Sequence, residues 1–172
     1  MTTEKQIKYT HMKKNLLFAL AAVAVSVLLY SCKTSSSHYV NRVNLDGNYI
    51  LESVQLQGVP NDVKYKVTLL NDVSADCFTG SDWVLPHNGY GSYTIGNKNN
   101  CYAGKRNINW SVRKNGAQSV LQLKVLDGRK AKEVSEGYIM KIVNATPQGF
   151  VVESPVVVEG NTGTIVYNFV KR

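Results

Sequence analysis

From Leu45 to Arg172, apolar and polar residues alternate in short runs, and this period of two constrains the fold more than any other feature. Successive side chains of a β-strand point to opposite faces, so each run places its apolar residues on one face. These runs are rich in the β-branched and aromatic residues that strands favour. Beyond residue 45 no stretch keeps a helical period over a useful length, although 130–136 is consistent with one short turn. The pattern predicts a body built of β-strands.

The runs and the turn signals between them predict eight strands. Asn115-Gly116 and Asp127-Gly128 are dipeptides that tight hairpin turns favour. The predicted strands cover 47–57, 63–70, 90–96, 105–114, 118–126, 137–144, 148–153 and 163–170, with a ninth short piece at 155–159 and one long connection at 71–89.

Sequential antiparallel strands close either as a sandwich or as an up-and-down barrel. We predict an all-β, eight-stranded antiparallel up-and-down β-barrel, because closure leaves no exposed sheet edge. The interior of such a barrel either fills with side chains or holds one small ligand. In the first strand Tyr49 and Leu51 share one face while Val54 and Leu56 share the other, which predicts a β-bulge near Ser53.

The N-terminal segment has the pattern of an export signal. Lys13 and Lys14 precede an uncharged run, 16–30, that is shorter than the roughly 20 apolar residues of a membrane span. The run ends at Ser31-Cys32, which resembles the lipobox of bacterial lipoproteins, although Tyr30 is not the commonest residue there. This resemblance implies a signal peptide over 1–31 and lipid attachment at Cys32; a signal anchor, or an ordinary signal with a chance cysteine, is the alternative.

The segment after Cys32 has the composition of a polar tether. Residues 32–44 are Ser-rich and lack an apolar period, so we predict a flexible connection to a single domain at 45–172. By resemblance to lipoproteins, Lys33 rather than Asp favours the outer membrane, with the periplasmic face favoured because no acidic cluster follows. Met12 is an alternative start of the precursor.

Two cysteines remain in the body, Cys77 and Cys101, separated by 24 positions in an oxidising compartment. A disulfide is the economical interpretation. Two buried thiols are the alternative. A zinc site is disfavoured because His87 is the one nearby histidine and a structural zinc takes four ligands.

The chain also resembles a family. Gly47-Asn48-Tyr49 on the first strand, the stretch 77–83, Gly91-Ser92-Tyr93 and the closing run 165–169 are similar to the lipocalin-like lipoproteins of Bacteroidetes over most of 45–172. Lipocalins carry Gly-x-Trp where this chain has Gly-x-Tyr, and they add a helix after the last strand that has no counterpart here. The resemblance implies a barrel that binds small hydrophobic molecules.

Aromatic residues on the inward rows are the candidate ligand-lining residues. They are Tyr65, Tyr93, Trp110, Tyr138 and Tyr167. Rings with polar tips suit a cavity for a flat or amphipathic molecule. They suit a densely packed core equally well, so both interpretations stay open.

The formal charge of +8 is the remaining signal. Lys105-Arg106, Arg113-Lys114 and the run 129–132 lie near predicted turns, where they either gather at one rim that meets anionic lipid or polysaccharide, or are simply solvated. Nucleic acid is disfavoured by the export signal. Ser81, Asp82 and His87 are close in sequence, but a catalytic triad is defined by geometry, and we predict no enzyme, no metal and no cofactor.

These observations predict a membrane-anchored lipoprotein whose barrel binds a small hydrophobic or amphipathic molecule. The alternative is a structural or interaction lipoprotein with a filled barrel that acts through its outer face or through the connection 71–89. No protein partner is indicated by the sequence.

Overall fold

A computed structural model of the chain describes residues 40–60, 67–98 and 100–172. Within these ranges the body is almost entirely β. Its strands are β1 (Gly47–Gln57), β2 (Thr68–Leu69), β3 (Val73–Ser74), β4 (Asp82–Leu85), β5 (Tyr90–Ile95), β6 (Gly104–Asn115), β7 (Gln118–Val125), β8 (Tyr138–Thr146), β9 (Gly149–Val158) and β10 (Asn161–Lys171). One turn of α-helix, α1 (Ala75–Phe78), and two turns of 3-10 helix (Arg42–Leu45, Ala131–Glu133) complete it.

Eight of these strands close into an antiparallel barrel. The strands β4 to β10 follow one another as neighbours, and β1 closes the ring by pairing with both β10 and β4. The predicted all-β, eight-stranded up-and-down barrel is therefore confirmed, and the sandwich is excluded. The predicted bulge is also present, since the register between β1 and β10 shifts between Leu51 and Ser53.

The second barrel strand is not the predicted one. We expected 63–70, but its described part forms β2, which pairs only with β3 in a separate two-stranded sheet, while 61–66 lie outside the described residues. The barrel position next to β1 belongs to β4, inside the segment predicted as a long connection. β4 has four residues, too few for its alternation to stand out, whereas the longer run 63–70 alternates clearly.

β9 is one strand where two pieces were predicted. Pro155 lies inside it and pairs with Thr164 of β10. On the other side of β9, the described pairing with β8 ends at Lys141 and Glu153. Proline lacks a backbone N–H, so it is tolerated where a strand has no partner on one side.

The barrel has two dissimilar ends, which we call the entry end and the insert end. The entry end carries the start of β1, the 3-10 turn Arg42–Leu45 and the hairpin turns β6–β7 and β8–β9. The insert end carries the hairpin turn β9–β10, the connections β5–β6 and β7–β8, and residues 67–81, which we call the insert.

The entry end is closed by the residues that precede β1. Val40 is buried and its N–H donates to Ser119 Oγ at 3.0 Å, and Leu45 is fully buried. The Arg42 guanidinium lies 5.5 Å from the centre of the Trp110 ring and donates to the backbone oxygens of Trp110 and His87. The described end of the predicted tether thus packs onto the barrel.

Six aromatic rings in mutual contact occupy the middle of the barrel. Phe150 and Phe169 stack with ring centres 4.4 Å apart, and Trp83 and Tyr93 stack at 4.8 Å. Contacts between ring edges and faces, together with Phe78 from α1, link these pairs into one chain; its members are Tyr49, Phe150, Phe169, Trp83, Tyr93 and Phe78. Each such pair contributes about 0.5–1.5 kcal/mol beyond area burial. The centre of the barrel is therefore packed core.

Candidate functional site

The insert end is the candidate site, because the insert is fastened there against the barrel wall. The insert borders two cavities of about 320 Å³ each and a smaller one of about 180 Å³. The first fastening is the disulfide between Cys77 of α1 and Cys101 of the β5–β6 connection. This confirms the predicted bridge and removes the alternatives of free thiols or a zinc pair. In the part of the chain that the structure describes, no group of three His, Cys, Asp or Glu side chains could hold a metal ion.

The second fastening is an ion pair on the inner side of the same end. Asp72 of the insert accepts from Arg106 of β6 through both carboxylate oxygens, at 2.8 and 3.0 Å. The hydroxyl of Tyr93 donates to the same carboxylate at 2.8 Å. Arg106 also donates to the backbone oxygens of Gly104 and Tyr102. Bidentate pairing of this kind fixes orientation as well as charge, so the insert is tied to strands β5 and β6.

Burial changes the acidity of the tyrosines in this region. Burial, then the hydrogen bond to the Asp72 carboxylate, raises the pKa of Tyr93 far above its ordinary value. Burial also raises the pKa of Tyr167, against a smaller lowering by its hydrogen bond with Ser154 at 3.3 Å. For Tyr138, burial and the nearby Glu136 carboxylate raise the pKa. These hydroxyls are protonated at neutral pH, as any tyrosine is, and the raised pKa values mean that they ionise only at a higher pH than in the unfolded chain.

The first cavity is polar and has a volume of about 320 Å³. The insert, β6 and the β7–β8 connection surround it. Charged residues of both signs line it, with apolar side chains between them; the charged set is Asp72, Arg106, Asp127, Arg129 and Glu136. Asp127 and Arg129 form an exposed pair at 3.7 Å, so opposite charges offset one another around the cavity.

The second cavity is largely apolar and also measures about 320 Å³. It lies where β8 and β9 separate beyond Lys141 and Glu153, so their splaying creates the space. Its apolar lining is supplied by the insert and by β8, β9 and β10, through Leu69, Leu70, Met140, Val156 and Ile165. The two cavities share Leu70, Asn71 and Tyr138 as lining residues, so they adjoin at these side chains.

The structure brings two of the five predicted lining residues to these cavities. Tyr138 lines both of them, and Tyr167 lines the apolar one. Tyr93 is fully buried in the packed centre and holds Asp72. Trp110 is buried beneath Arg42 near the entry end, and its indole N–H has no hydrogen-bond partner among the described residues. Tyr65 lies outside the described residues, as does Cys32.

Ser81, Asp82 and His87, which are close in sequence, contact different partners in the structure. Ser81 is buried at the insert end and accepts from the Trp83 indole at 2.9 Å. Asp82 pairs with Arg172 at 2.9 Å, and the exposed His87 lies 3.6 Å from Asp46 at the entry end. The three side chains do not converge.

The basic pairs do not gather at one rim, which excludes the first of the two alternatives left open by the sequence. Arg113 and Lys114 lie at the entry end, beside the β6–β7 turn, whereas Lys105, Arg106 and the run 129–132 lie at the insert end. The reason is strand direction. β6 begins at one end and finishes at the other, so charges at its two ends are separated by the length of the barrel.

Several cavity residues carried no recognisable signal in the sequence. Leu70, Asn71 and Asp72 form the turn between β2 and β3, and Leu70 and Asn71 have positive φ values of 52°. An Asn in a tight turn is a weak hint of such a conformation. Neither that hint nor the local pattern indicates that the turn docks against β6.

Among the described residues, no helix has the length and apolar character that crossing a bilayer requires. No family model matches the chain, and no curated protein or solved structure is significantly similar to it.

Proposed function

We propose that the protein is a lipoprotein, anchored through Cys32, whose barrel binds a small amphipathic molecule at the insert end. The observation that carries the binding proposal is the shared border of the two cavities at Tyr138. One cavity is lined by charges and the other by apolar side chains, so a ligand with a polar head and an apolar body matches both. Each volume lies near the lower bound of about 300 Å³ for ligand pockets.

Binding would rest on apolar burial oriented by a few polar groups. The apolar body would contact Met140, Val156 and Ile165, where burial contributes about 25 cal/mol per Å². The hydroxyls of Tyr138 and Tyr167, which line the apolar cavity, would direct the head group toward the polar cavity. The rigidly fastened insert would preform the cleft and so reduce the ordering cost of binding.

The lipid anchor and the proposed location are supported by the N-terminal sequence pattern alone. The charged start, the short apolar run and Ser31-Cys32 support lipidation. We propose attachment to the outer membrane on its periplasmic face and a relationship to the lipocalin-like lipoproteins. Labelling of cells with palmitate should mark the wild-type chain and leave Cys32→Ala unmarked.

Native mass spectrometry of protein purified from its own host tests the binding proposal. We expect a co-purifying small molecule on the wild-type barrel. Val156→Trp should remove it by filling the apolar cavity, which Val156 lines. Val157→Trp is the matched control, because Val157 is the next residue in the chain and its side chain is 70% exposed. A ligand retained equally by both variants would contradict the assignment of the cavity.

The second candidate is an interaction protein that acts through its outer face or the segment 71–89. The packed aromatic centre favours it, because stacked and buried rings occupy the middle of the described barrel. Repeated isolation without any bound molecule would favour this candidate over a carrier.

A further inference from the structure

The entry end is where the chain joins the barrel. Val40 is fixed by the hydrogen bond of its N–H to Ser119, and the turn Arg42–Leu45 is fixed by burial of Leu45 and by the Arg42 contacts. Eight peptide steps separate Cys32 from Val40, which span at most about 28 Å when fully extended. A lipid on Cys32 would therefore hold this end within that distance of the bilayer.

The entry end is also strongly basic. Its basic side chains are Arg42, Arg113, Lys114, Lys171 and Arg172, and its acidic side chain is Asp46. Asp82 of β4 reaches Arg172 and neutralises one of these charges. Lys114, Arg113 and Lys171 are exposed on the rim. The surface nearest the anchor therefore carries a net positive charge.

The insert end has a much smaller charge excess over its described residues. Its acidic side chains are Asp72, Asp76, Asp127, Glu133, Glu136 and Glu159. Its basic side chains are Lys98, Lys105, Arg106, Lys124, Arg129, Lys130 and Lys132, and Lys124 belongs here because it donates to the backbone oxygens of Ala131 and Val134. Charge is thus polarised along the barrel axis, with the larger excess at the end that carries the tether.

We propose that the entry end is a docking surface for anionic phospholipid headgroups, so that the barrel stands on the membrane with the insert end and its cavities turned away. This rests on the lipid anchorage of the proposed function and adds an orientation to it. Juxtamembrane basic residues are attracted to anionic bilayers, and the attraction falls off within a Debye length. Because this attraction acts over a short distance, it needs the lipid on Cys32 to hold the entry end near the bilayer.

Hydrogen exchange of the lipidated full-length chain on vesicles tests the orientation. The vesicles are phosphatidylcholine alone, or phosphatidylcholine with about one-third phosphatidylglycerol, at about 0.1 M and about 1 M salt, where the Debye length is about 10 Å and 3 Å. We expect amides of the entry-end hairpin around Asn115–Gln118 to exchange at least about fivefold more slowly on the anionic vesicles at low salt only. The insert-end hairpin around Val158–Asn161 should be unaffected.

Matched charge reversals separate the two ends. Arg113→Glu combined with Lys114→Glu should abolish the anionic-lipid protection, whereas Lys130→Glu with Lys132→Glu at the insert end should leave it intact. All four side chains are surface residues, so circular dichroism should show both double variants folded. Protection that persists in the first variant, or disappears equally in both, would refute the docking surface.

Two outcomes separate this proposal from the one it rests on. A lipidated chain, verified by intact mass, that shows equal protection on neutral and anionic vesicles would overturn the docking surface and leave the anchor standing. If the mature chain proves to carry no lipid and associates with neither kind of vesicle, both the lipid anchor and the docking surface are overturned.

Discussion

The carboxylate of Asp72 joins three parts of the molecule at the insert end. It receives Arg106 from β6 and Tyr93 from β5, while its own backbone belongs to the insert. Both ion-pair partners are largely shielded, with side chains 9% and 17% exposed. Without the Asp72 carboxylate, the Arg106 guanidinium would still be shielded from water but would lack the counter-charge that offsets the cost of desolvation.

Asp72→Asn is therefore expected to lower the free energy of unfolding by about 1–3 kcal/mol, because Arg106 keeps its backbone acceptors but loses its counter-charge. Urea unfolding at neutral pH measures the change. Asp127→Asn is the control: its pair with Arg129 is more than half exposed on both sides and should change stability by less than about 1 kcal/mol. Equal losses of unfolding free energy in the two variants would show that the Asp72–Arg106 pair stabilises the fold no more than the exposed pair does.

Trp110 belongs to the packed core. It is 1% exposed, so Trp110→Ala is expected to cost about 3–5 kcal/mol of unfolding free energy through lost burial and a residual void. Tyr102, whose side chain is 79% exposed, offers Tyr102→Ala as the control, which should cost far less. A loss well below about 1 kcal/mol at Trp110 would contradict its inward placement.

Among the strands, the close packing of β5 against its neighbour depends on a glycine. A Cβ built at Gly91 would lie 2.2 Å from the backbone oxygen of Val84 in β4. The obstructing atom belongs to the backbone, so no flexible side chain can move aside to relieve the contact. This explains why a residue with low strand propensity stands inside a barrel strand.

We expect Gly91→Ala to destabilise the barrel by about 1–3 kcal/mol, by forcing β4 and β5 apart. Gly96 follows β5 directly, and no heavy atom lies within 4 Å of the position that a Cβ would take there, so Gly96→Ala serves as the control. Thermal unfolding of the two variants should separate them by several degrees. Equal melting temperatures for the two variants would mean that β4 moves away from β5 without a loss of stability.

Strand pairing also explains why the prediction of a barrel strand at 63–70 was wrong. The stretch Val67–Leu69 does alternate, but it pairs with β3 across a tight turn instead of joining β1. Alternation identifies a strand and its faces; it carries no information about the partner, because any strand edge offers the same N–H and C=O groups. The disulfide at Cys77 and the Asp72 pair then hold the insert in place.

Across the barrel as a whole, four buried or partly buried tyrosines link stability to alkaline pH. The pKa values of Tyr49, Tyr93, Tyr138 and Tyr167 are all raised in the folded state. In the unfolded chain they ionise near their ordinary pKa of about 10. Their contribution is therefore fully present below about pH 10 and is lost as the pH rises from there toward the folded pKa values.

The unfolding free energy should fall above about pH 10, and the fall should be shallower in Tyr93→Phe by up to about 1.4 kcal/mol per pH unit, since one ionisable group is removed. Urea titrations of both proteins at a series of alkaline pH values supply the slopes. Because the two proteins share every other titratable group, the difference between slopes isolates Tyr93. Identical slopes would show that Tyr93 ionises normally in the folded protein.

Most strands and their inward faces follow from local sequence alone. Ile108 and Trp110, Leu121 and Leu123, and the closing row Ile165, Tyr167 and Phe169 are buried as the alternation predicts. The turn at Asn115-Gly116 and the bulge after Leu51 also follow from local chemistry, since backbone conformation and side-chain direction depend on neighbours within a few residues.

Long-range contacts, by contrast, determine which strand completes the ring, which aromatic rings are core, and where the basic pairs lie. Trp83 and Tyr93 fill the centre because Phe78 and Phe169 meet them there from other elements. The cavity around Tyr138 exists because β8 and β9 separate and the insert docks beside them. These outcomes depend on contacts between distant segments, and a local pattern repeated in every strand has no means of specifying them.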